Sequence, residues 1–206
     1  MGNNGNGGNG QFVRTAAVWS GIGSALGAAI GIAAGFVSLL HENTPAVTVT
    51  RELVLASLHV MLLIGLFGLW RSGAAGNSTP AKLAFWLAVV SRAIFVVAEL
   101  TAIFDLNTAN VIFGIATPLQ GLGMLGLGVA VLTTGLWNGW HSFTPLICGI
   151  YPFLILLPAF ALSGGPNYYA IGGLSLAYLL LSIAMWQEAA APQPSKPARM
   201  QATTSR

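Results

Sequence analysis

Charge is what this sequence has least of. Of 206 residues, eight are Lys or Arg and five are Asp or Glu, 6% in all. An average soluble domain carries roughly 25%. So few charges cannot cover a water-soluble globule of this size, which excludes a soluble enzyme, a nucleic-acid-binding domain and a disordered chain. The net charge of +3 comes from scattered residues, with no stripe or cluster of the kind nucleic acid requires. Cysteine is almost absent as well. Cys148 stands alone, so it forms no internal disulfide, and its apolar surroundings mark it as a small buried hydrophobe.

Several chemical signatures are also missing. There is no H-E-x-x-H motif and no cysteine pair to hold a metal. There is no G-x-S-x-G serine motif, no Walker motif and no run of arginines for voltage sensing. Lys82 sits at the edge of an apolar stretch, so no intramembrane lysine offers a Schiff base. His41, His59 and His141 fall at three different depths, which argues against bis-histidine haem. No cofactor is expected, and the chain reads as non-enzymatic.

What remains is apolar. Hydrophobic residues make up 55% of the chain, and the mean hydropathy is +0.75. A helix crossing a bilayer needs about 20 mostly apolar residues. Charges and Gly/Pro/Asn clusters divide the chain into six such stretches, near 15–40, 53–70, 82–104, 110–135, 144–162 and 167–187. The stretches are continuously apolar, unlike the alternating strands of a membrane barrel. The sequence therefore predicts an all-α, polytopic bundle of six transmembrane helices. The membrane domain spans 13–188, between a Gly/Asn tail at 1–12 and a polar tail at 189–206 that lack apolar faces to bury.

Lys and Arg set the orientation. Arg14, Arg71, Lys82, Lys196, Arg199 and Arg206 fall on one side and only Arg51 on the other. Both termini are expected in the cytoplasm of a multi-pass cell-membrane protein, a bacterial inner membrane by the reading below. The sequon at Asn77 falls in a cytoplasmic loop and is read as chance. Trp70, Trp137, Trp140 and Trp186 are expected at the inner boundary, with Tyr168 and Tyr169 at the outer one, as an aromatic belt.

Glycine carries the packing signal. Gly23, Gly27, Gly31 and Gly35 recur every four residues, giving overlapping G-x-x-x-G units on one face. Gly114, Gly121, Gly128 and Gly135 recur every seven, giving a second smooth face. The first face must meet a neighbouring helix of the chain or a partner, either a second copy or another subunit of a membrane complex. Gly121, Gly123 and Gly126 also spell a dinucleotide fingerprint, but no strand precedes it, so it carries no nucleotide. Pro118, Pro152 and Pro158 should kink or loosen their helices.

Three ionisable residues lie within the spans: His59, Arg92 and Glu99. A charge at mid-membrane costs about 3 kcal/mol on insertion scales, so such groups face inward and find partners. Arg92 and Glu99 share a face two turns apart, roughly 10 Å, too far for an easy direct bond. His59 and Glu99 fall at one level, with Glu52 at the mouth above His59 and Gln120 between the Glu99 and Arg92 levels. The expected cluster is His59, Arg92, Glu99 and Gln120 in the outer half of the bundle, with Thr117 and Tyr178 close by. It is either a network that sets helix register or a site.

Segment 58–70 (LHVMLLIGLFGLW), Ala98-Glu99-Leu100 and Trp140-His141-Ser142-Phe143-Thr144-Pro145 resemble a diffuse group of uncharacterised, actinobacterial-type bacterial membrane proteins with six spans. The resemblance covers about residues 15–187. It implies a compact six-helix bundle and supplies no catalytic residues.

Three roles are consistent with these residues. The first is binding of a small or lipidic ligand, Glu99 and Arg92 reading charge and His59 and Gln120 supplying hydrogen bonds. The second is a structural subunit docking through the Gly23–Gly35 face. The third is a proton-coupled carrier, although no internal repeat is evident.

Overall fold

Local chemistry starts and stops the helices. Ser78 accepts a hydrogen bond from Ala81 N and precedes Pro80 at the first turn, opening α3 (Thr79–Ala102). Asp105 accepts from Asn107 N and Thr108 N, opening α4 (Leu106–Thr134). Gly135 closes α4 in the left-handed region at φ 61°. Asn167 accepts from Ala170 N at the start of α7 (Tyr168–Ala190). In the computed structural model, which describes residues 5–39, 45–164 and 167–191, α1 covers Gly5–Leu39 and α2 covers Pro45–Arg71. A 3-10 turn (Gly139–Phe143) leads into α5 (Thr144–Tyr151), a π-helical turn (Pro152–Leu156) and α6 (Leu157–Ser163).

The protein is a multi-pass, all-α membrane protein. Among the described residues, six helical segments are long and apolar enough to cross a bilayer, with the 3-10 turn, α5, the π turn and α6 forming the fifth. No strand occurs among the described residues. Two helices begin earlier than composition predicts. α1 is helical from Gly5, inside the expected tail, although a Cβ at Gly8 or Gly10 would meet nothing within 4 Å. α2 starts at Pro45 rather than near 53, which carries Arg51 and Glu52 onto the helix. A charged pair marks a break in hydropathy, but it ends a helix only when its charges lack partners, and these two have them. The expected tail from 192 on, and His41 and Glu42, lie outside the described residues.

The helices close into a ring. α1 packs between α7 and α2, α2 meets α3, α3 meets α4, α4 meets α5, and α5 returns to α7. One half of the interior is apolar, built from Leu66, Leu69, Phe85, Met124, Leu127 and Met185. Trp137 and Cys148 are buried with this core. Trp137 is therefore not part of an interfacial belt, whereas Trp140 and Trp186 are exposed.

Glycine permits the close approaches. A Cβ on Gly23 would lie 2.7 Å from Met61 Cβ on α2, and one on Gly27 would lie 2.6 Å from Ser175 Oγ on α7. On Gly31 it would lie 2.6 Å from the backbone of Gly172. The four-residue row thus seats α1 in the groove between α2 and α7 of its own chain, and Gly23 to Gly31 are closed to any partner. The surroundings of Gly35 lie outside the described residues. The seven-residue row divides. Gly121 meets the Phe153 ring and Gly128 meets the Leu146 backbone, but Gly114 faces open space and Gly135 is a helix cap. Gly123, from the apparent fingerprint, lies against the Ala88 backbone of α3. Polar glue that the sequence did not signal joins α7 to α1, where Ser182 Oγ donates to Ser20 Oγ at 2.9 Å.

Candidate functional site

The other half of the interior is polar. α2 brings Glu52 and His59 to it, α3 brings Arg92 and Glu99, α4 brings Gln120, and α7 brings Tyr168 and Tyr178. Arg92 and Glu99 do not meet. His59 stands between them, with Arg92 Nη1 2.9 Å from its Nδ1 and Glu99 Oε1 3.2 Å from its Nε2. A guanidinium only donates, so Nδ1 accepts. The imidazole is then neutral and carries its proton on Nε2, which it donates to Glu99. The ring stacks on Phe95 at 4.8 Å with planes 10° apart, which holds this orientation.

Two further pairs flank this row. Gln120 Nε2 donates to Tyr178 OH at 2.5 Å, and the Arg92 guanidinium lies 4.4 Å above the Tyr178 ring. Toward the end of the bundle, Arg51 donates through Nε and Nη2 to Glu52 Oε1, at 2.9 and 2.6 Å. The Arg51 guanidinium also lies 4.9 Å from the Tyr168 ring centroid. Glu52 on α2 and Glu99 on α3 face a common cavity. Arg92 and Gln120 are 1% exposed, yet Arg92 Nε and Nη2 and Gln120 Oε1 make no hydrogen bond.

Beside this row lies a cavity of about 60 Å³. Glu52, His59, Glu99, Asn167 and Tyr168 form its polar end, and Phe95, Phe113 and Phe160 line its apolar walls. The π turn contributes here, because Leu156 at its end also lines the space. π turns interrupt α-helices most often at sites.

The four residues singled out from the sequence all gather in this half of the bundle, but they divide. His59 and Glu99 line the cavity, while Arg92 and Gln120 sit behind it. Glu52 and Tyr168 were missed as site residues. Glu52 is 4% exposed and lines the cavity, and Tyr168 lines it too. The available signal was helical spacing, since Glu52 and His59 are seven apart and share a face. Among the described residues no group of three His, Cys, Asp or Glu side chains is arranged to hold a metal ion. No protein-family model matches the chain, and neither a curated protein nor a solved structure matches it.

Proposed function

We propose that this protein holds a small amphipathic molecule, or the head of a lipidic one, in the cavity beside Glu52, His59 and Glu99, without converting it. One observation carries the reading. A partly open cavity inside a membrane bundle is lined by two carboxyls and an imidazole together with aromatic walls. Ionisable groups in a bilayer are costly and normally serve a site. Pockets for small molecules combine apolar walls with a few polar groups. In this reading Glu52, Glu99 and His59 face the ligand, Arg92 orients His59, and Gln120 braces Tyr178.

Native mass spectrometry of the chain, extracted gently from its own membrane, tests this. The wild type should carry an extra small mass that Glu99→Gln lacks at equal expression. A bare wild-type chain, or the same mass on the variant, would overturn it.

A proton-coupled carrier is the second reading, favoured by the unbroken Arg92–His59–Glu99 row. It requires pH-dependent flux in vesicles that Glu99→Gln abolishes. A scaffold subunit has less support, because Gly23, Gly27 and Gly31 lie against α2 and α7 of the same chain. The proposal keeps both termini in the cytoplasm and the cavity toward the outer face, which the Lys/Arg bias favours, in a bacterial inner membrane.

A further inference from the structure

The chemistry at the polar end of the cavity restricts its guest. Glu52 and Glu99 are 4% and 5% exposed, and both line the same small cavity. Two ionised carboxylates facing one buried space repel; the arrangement is favourable only with a cation beside them, a proton or something larger. The charged neighbours do not fill that place. Arg51, on α2 itself, gives both of its bonds to one oxygen of Glu52. Arg92, on α3, is held away from Glu99 by the neutral His59. From α7 come the Tyr168 ring, on the cavity wall, and Tyr178, which is engaged by Gln120. α4 and α6 bring no charged side chain to the cavity, only groups such as Thr117 and Phe160.

A guest therefore meets two carboxyls and aromatic faces. An anion would meet two carboxylates, only one of which Arg51 offsets. We infer that the ligand of the site proposed above is an organic ammonium, a primary amine bearing a short apolar tail. Its –NH3+ lies between Glu52 and Glu99, and its carbons lie along Phe95, Phe113 and Phe160. Its N–H donors suit the two carboxyls, while Asn167 Oδ1 is engaged as the cap of α7. The Tyr168 ring adds a cation–π surface. A cavity of about 60 Å³ has room for roughly five groups of water or methylene size, so it encloses the head and the first carbons only. The ammonium and a proton compete for one place. As R–NH3+ enters, the proton between the carboxyls leaves to water, and the charge of the site is unchanged.

This inference rests on the binding role, and the test separates the two. The full chain in lipid nanodiscs is titrated with n-hexylammonium, n-hexanol and n-hexanoate by ligand-observed NMR. Hexylammonium should bind at least about tenfold more tightly than the other two, a difference of about 1.4 kcal/mol. Its affinity should rise from mildly acid to mildly alkaline pH, while that of hexanol stays level. Glu99→Gln and Glu52→Gln should each cost about tenfold for the amine and leave hexanol unchanged. The wild-type series decides even if those variants fold poorly. Equal or better binding of hexanol or hexanoate overturns the ammonium assignment and leaves the binding role standing. No binding of any probe to a chain that carries a native mass also overturns the ammonium assignment alone. No binding to a bare chain overturns both.

Discussion

Arg92 carries the deepest charge in the protein, at 1% exposed, and its bond to His59 is what turns the imidazole toward Glu99. Arg92→Met keeps the bulk and removes the cation, leaving buried carboxyls with less compensation. Removing one partner from a buried ionic network costs about 3–5 kcal/mol. The variant should unfold correspondingly earlier in an SDS titration followed by tryptophan fluorescence. Adding Glu99→Gln should recover part of the loss, and a double variant no better than the single one would show that the two charges are uncoupled. Tyr178→Phe is milder. It leaves Gln120 without its hydrogen-bond partner and should cost about 1–3 kcal/mol in the same assay. His59, Arg92 and Glu99 were legible because ionisable groups stand out against apolar spans. Glu52 and Tyr168 were not, because a charge or a tyrosine at a hydropathy boundary looks the same whether it faces headgroups or a cavity.

At the scale of the helix, glycines that look alike in the sequence differ in what they meet. Gly31 faces the backbone of Gly172 and Tyr168 on α7, which cannot rotate away. Gly31→Leu should therefore prise α1 from α7 and abolish a monodisperse peak in size-exclusion chromatography. Gly114, with nothing within 4 Å, lies in a helix interior where Ala is intrinsically better by about 0.8–1.0 kcal/mol. Gly114→Ala should leave that peak intact and raise the melting temperature. Spacing revealed both rows, but only the ring order of the helices shows which members are covered. Asp105 gives a pH signature at this scale. It lies between α3 and α4, and hydrogen bonds from Thr108 hold its carboxyl below the ordinary carboxylate range. Its cap is therefore fully stabilising above that range and is lost as the pH falls through the lowered value. Thermal melts should show this acid-side loss, and Asp105→Asn should flatten it.

For the whole molecule, span number and helical class were readable from hydropathy alone, because lipid leaves the backbone few alternatives. Closure into a ring was not readable, since it depends on which small faces meet. One mark of closure joins the first and last described helices: Arg14 Nε donates to Ala189 O at 3.0 Å, tying α1 to the end of α7. Reporter fusions at residue 1 and residue 206 should therefore give the same compartment, and opposite signals would break the topology.

The ring is not equally tight all round. The fifth span is the least buried of the six described, and α6 makes its main contacts with the π turn and α4. That seam borders Phe160 on one side and Ile171 on the other, both of which line the cavity. It separates the cavity from acyl chains, and parting it breaks apolar contacts and, toward α5, the hydrogen bond that Tyr151 donates to Ala170 O at 3.0 Å. A guest taking that route dissolves in the bilayer before it binds, so the concentration that governs occupancy is the one in the lipid. Along a series of alkylamines, apparent affinity in water should then keep rising by about 0.8 kcal/mol, or roughly fourfold, per added methylene, even after the cavity is full.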